Sequence, residues 1–283
     1  MIPADETATF LFAAAVGAAT AQLLVRFRLQ APPKRLMRTN VAGRSVPAVL
    51  GGPLVISALL ALLCVAVLAG VGWEGAGDDE MAIATSILLA AMGAAGAWDD
   101  HRGDEAPRGF AGHLGALRGR AVTGGLVKAV AGASAGLAAG WVLKSDLGMA
   151  IQIALLVALT ANLVNLLDRA PGRAGKVSLG MAIPLVVWGS PAWAVTAGGL
   201  VGALAVCLVF DLAEKAMLGD AGANPVGAVL GLGLATALPV AGRIAAIVVL
   251  LALNLASERW SFSEVIERTP WMRYLDRAGR RRP

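Results

Sequence analysis

Residues 147–168 read Leu147-Gly-Met-Ala-Ile-Gln-Ile-Ala-Leu-Leu-Val-Ala-Leu-Thr-Ala-Asn162-Leu-Val-Asn165-Leu-Leu-Asp168. No charge interrupts the run before Asp168, and its apolar side chains cover every face of a helix instead of one stripe. A helix in water needs a polar face, whereas one in hydrocarbon must satisfy its own backbone and present apolar groups all round. About 20 residues are enough to cross the hydrocarbon core. The stretch therefore reads as a membrane span, and its end carries three polar residues at intervals of three, which drift only slowly around one helix face.

The rest of the chain repeats the pattern. Hydrophobic residues make up 57% of the 283 and charged residues 15%, with 35 glycines spread among alanines as close helix packing in a membrane favours. Nine spans are expected, at about 7–25, 47–72, 81–98, 121–143, 147–167, 175–189, 191–209, 223–240 and 242–257. The sixth is short for a crossing. Asp5 and Glu6 precede the first where a cleaved leader would carry basic residues. Cys64 and Cys207 lie in apolar runs without metal-ligand spacing and read as small buried hydrophobes.

The net charge of +5 is a matter of placement, not of nucleic-acid binding. Arg26, Arg28, Lys34, Arg35, Arg38 and Arg44 follow span one. Arg102, Arg108, Arg118 and Arg120 follow span three, Arg169, Arg173 and Lys176 span five, and Lys215 span seven. Seven arginines lie in the tail, while only Lys144 and Arg243 fall in the opposite loops. Positive residues stay inside, so the expected architecture is an all-α, polytopic helical bundle with its N-terminus outside and its C-terminus cytoplasmic. Residues 1–258 form the membrane domain. Residues 259–283 form a basic tail with Trp260, Phe262, Trp271 and Tyr274, suited equally to a membrane surface or to solvent. No internal repeat supports a transporter.

By this topology Asp99-Asp100, Asn162, Asn165, Asp168, Asp211 and Asp220 all fall on the cytoplasmic side. Ionisable residues near membrane depth face a polar cavity or a partner. Carboxylates converging from several spans could hold a divalent cation that shares a phosphate substrate. Asp211, beside Glu214 and Lys215, reads as an ordinary residue at the water boundary.

Four motifs resemble those of the polyprenyl-phosphate N-acetylhexosamine-1-phosphate transferases. They are Pro47-Ala-Val-Leu-Gly51-Gly52, Ala97-Trp98-Asp99-Asp100, Asn162-Leu-Val-Asn165-Leu-Leu-Asp168 and Leu218-Gly219-Asp220-Ala221-Gly222. Lys128, in Thr123-Gly-Gly-Leu-Val-Lys128, also falls where that family has a functional lysine. The resemblance implies a transferase of a bacterial inner membrane, acting in cell-wall or surface-glycan synthesis. It would move sugar-1-phosphate from a UDP-sugar to polyprenyl phosphate with Mg2+, or with Mn2+ in its place. On that basis Asp220 is the metal ligand, and Asp99, Asp100, Asp168 and Lys128 are catalytic. Asn162, Asn165, Gly219 and Gly222 bind substrate, and a homodimer is a compatible assembly. Arg169 and Arg173, which the family pattern does not supply, add charge that could clamp a substrate phosphate.

The chain departs from the family in three places. Arg169 stands where the family has a glycine, Ala223 where it has a serine, and the last cytoplasmic loop has no histidine-rich segment or tenth span; His101 and His113 are the only histidines. The competing expectation is a non-catalytic relative that binds polyprenyl phosphate or wall-synthesis partners.

Overall fold

A computed structural model describes residues 3–41, 43–76, 78–102 and 124–280. Arg108, His113, Arg118 and Arg120 lie outside the described residues. Each expected span coincides with a helix: α1 (Ala4–Gln30), α2 (Gly51–Gly70), α3 (Asp79–Arg102), α4 (Gly124–Val142), α5 (Leu147–Leu167), α6 (Arg173–Trp188), α7 (Pro191–Leu212), α8 (Asp220–Ala237) and α9 (Val240–Ser257). Two short helices follow, α10 (Phe262–Arg268) and α11 (Pro270–Arg277). Among the described residues six helices, α1, α2, α3, α5, α7 and α9, are long and apolar enough to cross a membrane, as in a helical membrane protein. Two of the others are limited by particular residues. α6 has 16 residues with Pro184 inside it, and α8 carries Asp220, Asn224 and Pro225 in its first turns.

Local signals set several helix starts. Asp146 accepts the Met149 N–H (2.8 Å) at the start of α5, and Ser190 stands at the N-cap of α7 just before Pro191. Helix α2 begins at Gly51, after the 47 expected, because residues just before it pair instead. β1 (Met37–Thr39) and β2 (Ser45–Pro47) form an antiparallel hairpin. Helix α8 starts at Asp220, earlier than expected, because acidic side chains from elsewhere in the chain satisfy its first N–H groups.

The core runs between α7, α8, α5 and α3. Small residues bring backbones together there, since in lipid the association rests on close packing. A Cβ on Gly17 of α1 would fall 2.0 Å from the Gly199 carbonyl oxygen of α7, and one on Gly231 of α8 2.6 Å from that of Leu156 in α5. Trp193 of α7 is fully buried, and its indole N–H donates to the Val229 carbonyl of α8 (2.9 Å).

The segment after α9 is docked on the bundle. Arg173, at the start of α6, makes a two-pronged pair with Asp276 of α11 (2.8 and 3.1 Å) and donates to Ser263 Oγ of α10 (2.9 Å). Lys176 Nζ donates to the carbonyls of Leu275 (2.8 Å), Asp276 (2.6 Å) and Ala278 (3.1 Å), neutralising the C-terminus of α11. Burial disfavours charge on Asp276, but the hydrogen bonds and charge of Arg173, joined by Arg280 and Lys176, outweigh it. They hold the carboxyl below the usual carboxylate range. A carboxyl held low in the folded chain stabilises above that range and loses its contribution as pH falls through the depressed value. The Asp276 contribution to docking is therefore steady near neutrality and weakens in acid.

Arg280 still pairs with Asp276 in Arg173→Ala, but the two-pronged bond and the Ser263 contact are lost. The substitution is expected to destabilise the docked tail by roughly 1–3 kcal/mol. Limited trypsin digestion in detergent checks this: cleavage within 262–277 should accelerate many-fold, and unchanged cleavage would show that the pair does not hold the tail.

Candidate active site

Four loop-side ends of the bundle meet at one place. Asp99 and Asp100 lie in the last turn of α3, Lys128 in the second turn of α4, Asp168 directly after α5, and Gly219-Asp220 at the start of α8. Asp100 is buried, with Oδ1 accepting the Asp220 N–H (3.1 Å) and Oδ2 the Ala221 N–H (2.9 Å). It caps α8 from another helix, meeting donors that every helix N-terminus leaves open. Asp168, also buried, accepts the Gly219 N–H through Oδ2 (2.8 Å). Three successive backbone N–H groups are thus fixed by two carboxylates from α3 and α5.

Gly219 has φ +67°, and a Cβ there would fall 2.9 Å from Asp100 Oδ2. Only glycine fits that backbone between these carboxylates.

The Asp220 side chain, released from capping, turns to Lys128. The ammonium donates to Asp220 Oδ2 (2.6 Å) and to Asp99 Oδ2 (2.7 Å). All three side chains remain partly open, at 17–23% exposure, so the cluster borders solvent-accessible space. Two carboxyl groups and an ammonium near membrane depth form a polar set suited to receive a cation or to orient phosphate.

Among the described residues no three His, Cys, Asp or Glu side chains form a ready metal cage. Magnesium that shares phosphate oxygens needs only one or two carboxylates and keeps several waters. Asp99 and Asp220, converging on a single cation position with hard oxygen donors, fit that requirement.

The other candidate residues are placed differently. Asn165 is half-buried in the last turn of α5, beside Asp168. Asn162 lies one turn earlier, where its amide donates to Asn254 Oδ1 of α9 (2.5 Å). Asn254 Nδ2 in turn donates to the carbonyls of Leu250 (2.8 Å) and Leu159 (3.2 Å), so this pair fastens α5 to α9. Arg169 is exposed, and its carbonyl accepts the Val41 N–H (3.2 Å). Arg173 is not in the cluster, being engaged by Asp276 and Ser263. Gly222 packs on α2, where a Cβ would fall 2.9 Å from Gly51 Cα. His101 is exposed and its Nδ1 pairs with the Ala97 carbonyl (2.7 Å), within its own helix.

Asp211 corrects one expectation. It is buried, not at the water boundary, and its Oδ2 accepts the Gly172 N–H (2.9 Å) at the start of α6. Glu214 and Lys215 suggested an exposed loop, but a second helix N-terminus needed a partner there.

The hairpin side supplies residues the sequence marked only as charge. Arg38 Nη2 donates to the Asp100 carbonyl (2.6 Å) at the end of α3. Glu214 holds Asn40 Nδ2 (3.0 Å) and Arg44 Nη1 (3.2 Å), tying the hairpin to the loop that leads into Gly219.

No family model matches the chain, and no curated protein matches it closely enough to count as a relative.

Proposed function

We propose that the chain is a phosphoglycosyl transferase, moving sugar-1-phosphate from a UDP-sugar to a polyprenyl phosphate at the cytoplasmic face of a bacterial inner membrane. The single observation that carries this reading is the Asp99–Lys128–Asp220 cluster, set beside the start of α8, where Asp168 and Asp100 accept the Gly219, Asp220 and Ala221 N–H groups. The bias of basic residues in the loops on this side supports nine crossings with the N-terminus outside. The sequence motifs that resemble the transferase family supply all four acidic residues, Asp99, Asp100, Asp168 and Asp220, and the glycine at 219.

In the proposed reaction a lipid phosphate oxygen attacks the phosphorus attached to the sugar. A new phosphorus–oxygen bond forms, the bond to the nucleoside monophosphate breaks, and that monophosphate leaves with the electron pair. Magnesium, or manganese, would neutralise charge on the pyrophosphate when bound. Asp220 and Asp99 would hold it. Asp99 would also orient the lipid phosphate and keep its attacking oxygen deprotonated. Lys128, freed from one carboxylate, offers its ammonium to the phosphate oxygens. Asp100 and Asp168 act through backbone, keeping the Gly219–Ala221 N–H groups and the Asp220 side chain in place. Asn165, one turn before Asp168, would contact the nucleotide.

A second reading, a non-catalytic binder of polyprenyl phosphate or of wall-synthesis partners, is favoured by Arg173. Its guanidinium is occupied by the tail instead of facing the cluster.

The two readings separate in one assay. Purified full chain with Mg2+, undecaprenyl phosphate and a panel of UDP-sugars should release UMP from at least one donor, in proportion to lipid consumed. No release across the panel, with the acceptor verified, would reject the transferase in favour of the binder.

A further inference from the structure

Away from the acidic cluster, α1 and α7 part at the same loop end of the bundle around a cavity of about 640 Å3. Its lining includes Gln22, Arg26, Leu29, Val209, Phe210 and Lys215, and no acidic residue. None of these belongs to the Asp99–Lys128–Asp220 cluster. Both cations are exposed and flanked by uncharged neighbours. The Gln22 amide, oriented to satisfy its surroundings, accepts from Arg26 Nε (2.7 Å) and Nη2 (2.9 Å), leaving further guanidinium N–H groups to donate. Lys215 Nζ stands 5.9 Å from the Phe210 ring centroid.

Leu29, Val209 and Phe210 supply apolar lining, and Val209 is 66% exposed. The site thus joins two cations to apolar helix faces at the end of two long apolar helices. Such basic pockets between membrane helices match an anionic head group with its chains alongside. A soluble anion would make no use of the apolar walls, and a neutral lipid would leave both cations uncompensated.

We propose that this cavity binds the phosphodiester head group of an anionic phospholipid, with its acyl chains along α1 and α7. Arg26 and Lys215 engage the phosphate, and Gln22 sets the guanidinium. The site stands independently of the transferase reading, because its occupant is a lipid that is not consumed.

Native mass spectrometry of the full chain in detergent tests this with phosphatidylglycerol, phosphatidylcholine and undecaprenyl phosphate as probes. The wild type should retain phosphatidylglycerol about tenfold or more over phosphatidylcholine. The Arg26→Gln/Lys215→Gln double variant should lose that preference, and Arg26→Lys/Lys215→Arg should keep it, which separates lost charge from misfolding. Equal retention of the two phospholipids by the wild type would overturn the proposal, as would an unchanged preference in the Gln variant. Loss of undecaprenyl phosphate alone in that variant would also overturn it, by assigning the cavity to a different lipid.

Discussion

Asp220→Asn is expected to lower sugar-phosphate transfer by on the order of 10^2- to 10^3-fold, the usual consequence of losing one charged group that stabilises the transition state. The substitution preserves side-chain shape. The backbone N–H of residue 220 still meets Asp100 Oδ1, and Lys128 keeps its contact with Asp99. What disappears is one of two carboxylates facing a common cation position. The thermal midpoint in detergent should therefore stay within about 4 °C of the wild type, a change of less than roughly 1 kcal/mol. Transfer within about threefold of the wild type would remove Asp220 from the chemistry, whatever happened to stability.

Gly96→Ala should act in the opposite manner, through the fold first. A Cβ on Gly96 of α3 would fall 2.1 Å from the Asp220 carbonyl oxygen and 2.3 Å from its carbon. Both are backbone atoms, so no flexible side chain can swing away, and α3 and α8 must separate. Overpacking of this kind destabilises by about 1–3 kcal/mol. The same displacement carries Asp100 from the N–H groups of Asp220 and Ala221, and Asp99 from Lys128, so transfer should fall together with the unfolding midpoint. Gly52→Ala is the control, since a Cβ there meets nothing within 4 Å. Equal midpoints for the two variants would show that α3 and α8 do not touch at Gly96.

Much of this arrangement was legible in the sequence because lipid is a severe solvent. Uncharged runs such as 147–167 have few ways to satisfy their backbone, so helices were found at all nine positions. The gathering of Asp99, Asp100, Asp168 and Asp220 at one end followed from counting spans between them. What remained hidden depends on partners far apart in the chain. The early start of α8 needs Asp100 as its cap, 120 residues away. The burial of Asp211 needs the open N–H of Gly172, and Asn162 needs Asn254 across from it. Arg173 lies next to the Asn-Asp segment in sequence, which suggested phosphate binding. Its actual partner, Asp276, lies in a tail that polarity alone left equally suited to solvent or membrane. The 37–47 hairpin was missed because apolar residues 46–50 merge with the span that follows.

On the proposed function, Asp99 and Asp220 are expected to share one divalent cation in the presence of a pyrophosphate donor. Electron paramagnetic resonance of Mn2+ titrated into the purified chain with UDP-N-acetylglucosamine tests it directly. A bound, slowly exchanging ion should appear with the wild type and vanish in Asp99→Asn/Asp220→Asn. A bound signal of equal strength in both proteins, or none in the wild type, would contradict it.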